Sequence, residues 1–157
     1  MSLPEGFAIR RASIDDVATL VAHRREMFRD MGYSDAAALD SMAARFATWI
    51  LPQMKAGVYV AWLIVTGGGT VAAGAGLWLM DWPPHMIGVG ARRGNILNVY
   101  TAVEYRRRRL ARYLTETAMQ WCRENGVDTV ILHASAEGRQ LYESLGFAAT
   151  NEMRIQL

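Results

Sequence analysis

Residues Asn95 to Arg112 constrain this chain more than any other stretch. An apolar and β-branched run through Val99 and Thr101 leads into four arginines, Arg106 to Arg109, and then into a helical pattern. The first amides of a helix have no intrahelical partner, and the helix dipole adds partial positive charge to them. A strand that turns through arginines into such a helix therefore forms an anion site. The simplest alternatives for the four arginines are a solvated basic turn or contact with nucleic acid.

At 157 residues the chain is sized for one domain with a sizeable core. A net charge of +2 argues against wholesale nucleic-acid binding, although the cations gather at Arg92–Arg93, Arg106–Arg109 and Arg112. Cys122 is the only cysteine, which excludes an internal disulfide and a cysteine-rich metal site, and three scattered histidines give no reason to expect a metal. There is no signal-like start and no apolar stretch long enough to span a bilayer, so the expectation is a cytoplasmic protein without membrane contact.

Phe7 to Arg11 alternates as a first strand, and Ser13 with Asp15 and Asp16 heads a helix whose apolar face runs from Ile14 to Met31 and stops at Gly32. A second helix is expected from Ser34, with Leu39, Met42, Phe46 and Trp49/Ile50 on one side and Pro52 stopping or kinking it. Val58–Thr66 and Thr70–Met80 form a hairpin about Gly67, Gly68 and Gly69, followed by a loop with Trp82 and His85 and then the strand through Asn98. Leu110, Leu114, Ala118 and Trp121 mark the face of the helix after the arginines, which Asn125–Gly126 closes. Thr129–His133 is expected as a short buried strand and Glu137–Leu145 as a brief helix. Met153, Ile155 and Leu157 alternate as a last half-exposed strand. This order predicts an α/β fold, a mixed sheet with helices on both faces, in a single domain over 1–157.

Two segments carry a resemblance to a known family. Asn98-Val-Tyr-Thr-Ala-Val-Glu-Tyr-Arg-Arg-Arg-Arg-Leu-Ala-Arg112 is similar to a strand-to-helix segment with Arg/Gln-x-x-Gly-x-Gly/Ala, with Arg106 in the first place and Ala111 in the last. Ser135-Ala-Glu-Gly-Arg-Gln-Leu-Tyr-Glu-Ser-Leu-Gly-Phe147 is similar to Asn-x-x-Ala-x-x-Leu-Tyr-x-x-Leu-Gly-Phe. Together they resemble the Gcn5-related N-acetyltransferases (GNAT), most strongly over 95–157. The resemblance implies a mostly antiparallel twisted sheet and transfer of an acetyl group from acetyl-CoA to a primary amine of a small molecule or peptide. Homodimers, frequent in that family, are one arrangement it suggests. Arg109 stands where the family has Gly, Val103 where Pro is common and Ser135 where Asn is common. A left-handed Arg109 would carry roughly 1–2 kcal/mol of strain, which a guanidinium on a phosphate could offset.

What the family does assigns roles to particular residues. The backbone of Val99, Tyr100 and Thr101 would hold pantetheine and offer an N–H to the thioester oxyanion. Arg106, Arg107, Arg108, Arg109, Leu110, Ala111 and Arg112 would surround the phosphates, and Ser135 would sit by the pantetheine arm. Tyr142 is the general acid for the departing thiolate, against the plainer reading of a ring packed in the core. His133, at a strand end, is a candidate base, although a lone strand histidine is more often structural; Glu26, Asp81, His85 and Glu104 are weaker candidates. The acceptor is expected between the first two helices and the loop Asp81–Gly90, bordered by Arg24, Arg25, Met27, Trp49, Trp82 and His85. Such an aromatic and partly basic cleft suggests an acceptor with apolar and anionic parts, such as an amino-acid-like amine, against the plainer reading that the Trp and Met residues simply fill the core. Two rivals remain: a non-catalytic acyl-CoA sensor of the same fold, and a nucleic-acid-associated acyltransferase acting on charged tRNA.

Overall fold

A computed structural model describes residues 2–157. The strands are β1 (Phe7–Arg11), β2 (Tyr59–Thr66), β3 (Val71–Asp81), β4 (Arg92–Thr101) and β5 (Val130–Leu132). The helices are α1 (Val17–Asp30), α2 (Ala36–Lys55), α3 (Leu110–Glu124) and α4 (Arg139–Ser144). One sheet of order β1-β2-β3-β4-β5 organises the chain, antiparallel throughout except for the parallel β4–β5 pair.

The period of two along β2 explains the layers. Tyr59, Ala61 and Leu63 point to one face and pack with Leu20 of α1 and Phe46 and Ile50 of α2. Val60, Trp62 and Ile64 point to the other and pack with Leu110, Leu114, Ala118 and Cys122 of α3. A strand covered on both sides reads as an unbroken apolar run, as β2 does. On α3 the four-residue spacing makes Cys122 the buried member, while Trp121 lies half-buried at the margin, edge-on to Trp62 at 6.3 Å. A capping box between Ser13 and Asp16 starts a short 3-10 turn that runs into α1.

Three expectations are corrected. Pro52 does not stop α2; the helix continues to Lys55, and the amide of Ala56 closes on the Pro52 carbonyl at 2.9 Å. Placed in the last turn, the ring removes one hydrogen bond while the following turn still forms. β5 is half-buried rather than buried, because it is the edge strand. The alternating terminus forms no strand: Met153 and Ile155 are 95% and 80% exposed. Alternation gives a segment two faces, but a strand also needs a paired edge, and the tail reaches the body through Glu152, whose carboxylate meets His133.

Two irregularities in the sheet set up the site. Gly74 pairs with Tyr100 and Gly76 with Leu97, so Asn98 and Val99 together face Ala75 in a β-bulge. Asn98 adopts φ 54°, a left-handed conformation that asparagine tolerates better than most residues. Parallel pairing of β4 with β5 ends at Ile96↔Leu132, so Val99 to Thr101 have no strand partner on that side.

Candidate active site

The opening between β4 and β5 widens into a cleft of about 1360 Å³ floored by the bulge and walled by α1, α2, the arginine turn and α4. Every residue assigned to cofactor binding, together with Tyr142 and His133, lines it except Arg108, whose guanidinium lies 5.8 Å over the Phe7 ring instead. Of the residues expected at the acceptor, Arg24, Met27 and Trp49 line it, while Arg25 does not and meets Asp40 at 2.7 Å.

The head of α3 has the character of an anion site. Its first helical bond is from the Tyr113 amide to the Arg109 carbonyl at 3.1 Å, which leaves the amides of Leu110, Ala111 and Arg112 without helical acceptors. No side chain caps this terminus and no acidic residue occupies its first turn, unlike α2, where Asp35 accepts from the Ala38 amide at 3.0 Å. Arg107 and Arg109 both sit at φ 61°, the left-handed region, so the turn takes the shape that glycine takes without strain. Neither makes an ion pair among the described residues, and both line the cleft.

Two other arginines are committed within the protein. Arg106 donates from Nε to the Thr101 carbonyl at 3.0 Å and pairs with Asp30, pinning the end of β4 to α1. Arg112 spans Glu116, at 3.4 Å, and the Ser144 hydroxyl, tying α3 to α4. Their guanidinium groups hold the walls of the cleft in place.

Ser135 accepts from the Gly138 amide at 3.1 Å through its hydroxyl and from the Arg139 amide at 3.0 Å through its carbonyl. It thereby starts the turn into α4 that presents Tyr142. The Tyr142 ring packs edge-on against Phe147 at 6.0 Å, and a side chain at Gly138 would press on it at 3.0 Å. The phenol is protonated at neutral pH, and burial raises its pKa further above the ordinary value. The core reading and the acid reading of Tyr142 are thus compatible, since packing fixes the ring while the residue still lines the cleft.

His133 lies at the cleft rim, exposed, with Nε2 2.9 Å from Glu152. Among the weaker base candidates, Glu26 is engaged by Arg25 and Arg29, and His85 accepts from the Ile87 amide at 3.0 Å. The loop from Asp81 to Gly90 does not border the cleft, contrary to expectation. The hairpin carries it to the opposite end of the sheet, where Val89 and Gly90 donate to Asp128 at 2.7 and 3.0 Å and Arg93 covers Trp82 at 4.1 Å. Those two amides hold the Asp128 carboxyl below its usual range.

Sequence reasoning missed the chain of contacts beneath the site. Arg24 donates to the Asn98 side-chain oxygen at 2.6 Å, and the Asn98 amide nitrogen donates to the Tyr59 hydroxyl at 2.8 Å. Burial pushes the Tyr59 phenol well above its ordinary pKa. A side chain at Gly76 would collide with that hydroxyl, so the glycine makes room for it. The available signal was a polar Asn98 inside a strand opposite the pair Gly74 and Gly76.

A model of the acetyltransferase (GNAT) family matches residues 20–147. That span holds the cleft walls, the arginine turn and Tyr142 together. The chain belongs to the acetyltransferase (GNAT) family. A GCN5-related N-acetyltransferase from Ralstonia eutropha JMP134 is 35% identical, with a TM-score of 0.91 over 97% of this chain and 99% of that one. Two further likenesses concern the fold alone. A predicted acetyltransferase from Clostridium acetobutylicum, solved with acetyl-CoA, has a TM-score of 0.87 at 22% identity over 96% of each chain. Glucosamine-6-phosphate N-acetyltransferase from Arabidopsis thaliana has a TM-score of 0.71 at 21% identity over 98% of this chain and 99% of that one. No curated protein matches. No helix among the described residues is long and apolar enough to cross a membrane, and no group of three or more His, Cys, Asp or Glu among them could hold a metal ion.

Proposed function

We propose that this GNAT protein transfers an acetyl group from acetyl-CoA directly to a primary amine within a ternary complex. One observation carries the reading: an uncapped helix head, a strand with unpartnered backbone and a protonated phenol all border one cleft. Anionic phosphates fit the free amides of Leu110 to Arg112, with Arg107 and Arg109 alongside. The pantetheine arm, rich in amides, fits the unpartnered edge of β4 from Val99 to Thr101, with Ser135 across the opening. The acceptor amine enters from the side of α1 and α2.

The amine attacks the thioester carbonyl, and negative charge develops on its oxygen. A β4 amide at the bulge stabilises that charge, typically the largest single electrostatic contribution in acyl transfer. As the C–S bond breaks, Tyr142 gives its proton to the departing thiolate. The amine proton leaves to water or to His133, which already meets Glu152 at the rim.

Free-thiol release with acetyl-CoA and a panel of amines tests the reading, alongside thermal stabilisation by acetyl-CoA. Stabilisation without thiol release for any amine would favour the sensor over the enzyme. Nucleic acid is disfavoured by the internal partners of Arg106, Arg108 and Arg112. A steep salt dependence of RNA binding would reverse that judgement.

A further inference from the structure

Arg24 lines the cleft and is the one arginine of α1 without a counter-ion among the described residues. Arg25 meets Asp40 at 2.7 Å, Arg29 meets Glu26 and Arg106 meets Asp30. These pairs engage the nearby acids. The only polar partner of Arg24 among the described residues is the neutral oxygen of Asn98, and no carboxylate lies within ion-pair distance. Its guanidinium is held between the rings of Phe28, at 5.0 Å, and Phe46, at 4.7 Å.

The arrangement is built rather than incidental. The Tyr59 hydroxyl accepts from the Asn98 amide nitrogen, so the opposite atom, the oxygen, faces Arg24. Two aromatic faces and one carbonyl fix the fork while its other N–H groups remain free for a ligand. A guanidinium desolvated on its flanks and unpaired is costly unless a ligand completes it, and its planar fork matches a carboxylate. The adjoining wall is apolar: Met27, Met42, Trp49 and Trp78 line the cleft, and the two indoles meet edge-on at 5.4 Å. Asn98 itself forms the bulge, so the cation lies one residue from the strand segment assigned to the thioester.

We infer that Arg24 anchors the carboxylate of the acceptor, and that the acceptor is an α-amino-acid-like amine with an apolar or aromatic side chain. Its carboxylate lies on Arg24, its side chain against the aromatic wall, and its amino group toward the opening of β4. This inference rests on the acetyltransferase reading and specifies its second substrate.

The experiment compares matched acceptors with the full chain and acetyl-CoA: phenylalanine against phenethylamine, tryptophan against tryptamine, and methionine against 3-(methylthio)propylamine. The carboxylate-bearing member of each pair should show at least about a tenfold higher kcat/KM. In Arg24→Gln that ratio should fall toward one through KM, and Arg24→Lys should restore part of it. Wild-type protein that acetylates the decarboxylated amines as well as or better than the amino acids overturns the inference and leaves the enzyme reading intact. Equal losses for both members in Arg24→Gln would show that Arg24 merely supports Asn98. Titration of phenylalanine into the protein–CoA complex reads the anchor without chemistry. Binding that Arg24→Gln weakens supports the anchor even if no amine turns over, and absent binding in the wild type overturns it.

Discussion

Arg109→Gly separates the backbone strain of Arg109 from its proposed contact with phosphate. Arg109 is held at φ 61° and ψ 17°, where a side chain costs roughly 1–2 kcal/mol. Glycine removes that strain but gives the unfolded chain more freedom, an offset of about 0.4–1 kcal/mol. The net expectation is a stabilisation of about 0.5–1 kcal/mol, or a rise in Tm of about 1–4 °C for a chain of this size. The same substitution deletes a guanidinium at the proposed phosphate site. Because Arg109 is exposed, its contact is worth about 1–1.4 kcal/mol, so acetyl-CoA affinity should fall roughly five- to tenfold. Urea denaturation and calorimetric titration read the two effects separately. Arg109→Ala is the control, since it keeps the strained Cβ and should lose affinity without gaining stability. A glycine variant no more stable than the parent would refute the strain argument. Undiminished affinity in both variants would refute the phosphate contact.

Three further outcomes follow from the geometry. Tyr142→Phe should lower kcat by about a hundredfold while acetyl-CoA affinity hardly changes; undiminished turnover would remove Tyr142 from the acid role. Burial lowers His23 from about 6.5 to about 4, so between those values the unfolded chain holds a proton that the native state refuses. Its contribution to stability is therefore complete above pH 6.5 and is lost as the pH falls toward 4, by about 3 kcal/mol, in equilibrium unfolding curves. A flat profile across that window would contradict the burial of a neutral imidazole. Asp16, held down to about 2 chiefly by Arg10, acts in a lower window, below its ordinary value of 3.8. Burial raises the Cys122 thiol to about 11, so a disulfide thiol reagent should react with it only after denaturation, and fast labelling of native protein would place it elsewhere.

What the sequence disclosed follows from how local each signal is. The layers were legible because β2 and α3 carry regular apolar periods, and the arginine turn because its residues are consecutive. The bulge was not legible, since it depends on how Asn98 pairs with a strand whose Gly74 and Gly76 lie more than twenty positions away. The aromatic and imidazole side chains of the loop with Trp82 and His85 suit an acceptor wall, whereas the length of the β3–β4 hairpin carries the loop to the far end of the sheet. The terminal alternation of Met153, Ile155 and Leu157 was a sound local signal without a strand to pair with. The free state of Arg24 could be recognised only after Arg25, Arg29 and Arg106 had been matched to their acids.

The most direct trial of the central claim is a crystal structure of the chain grown with acetyl-CoA. The account predicts the pyrophosphate against the amides of Leu110, Ala111 and Arg112 and the thioester beside the Asn98–Val99 bulge, with Tyr142 within hydrogen-bond reach of the sulfur. Acetyl-CoA bound elsewhere, or a helix head filled by one of the protein's own side chains while the ligand is present at saturating concentration, would contradict it.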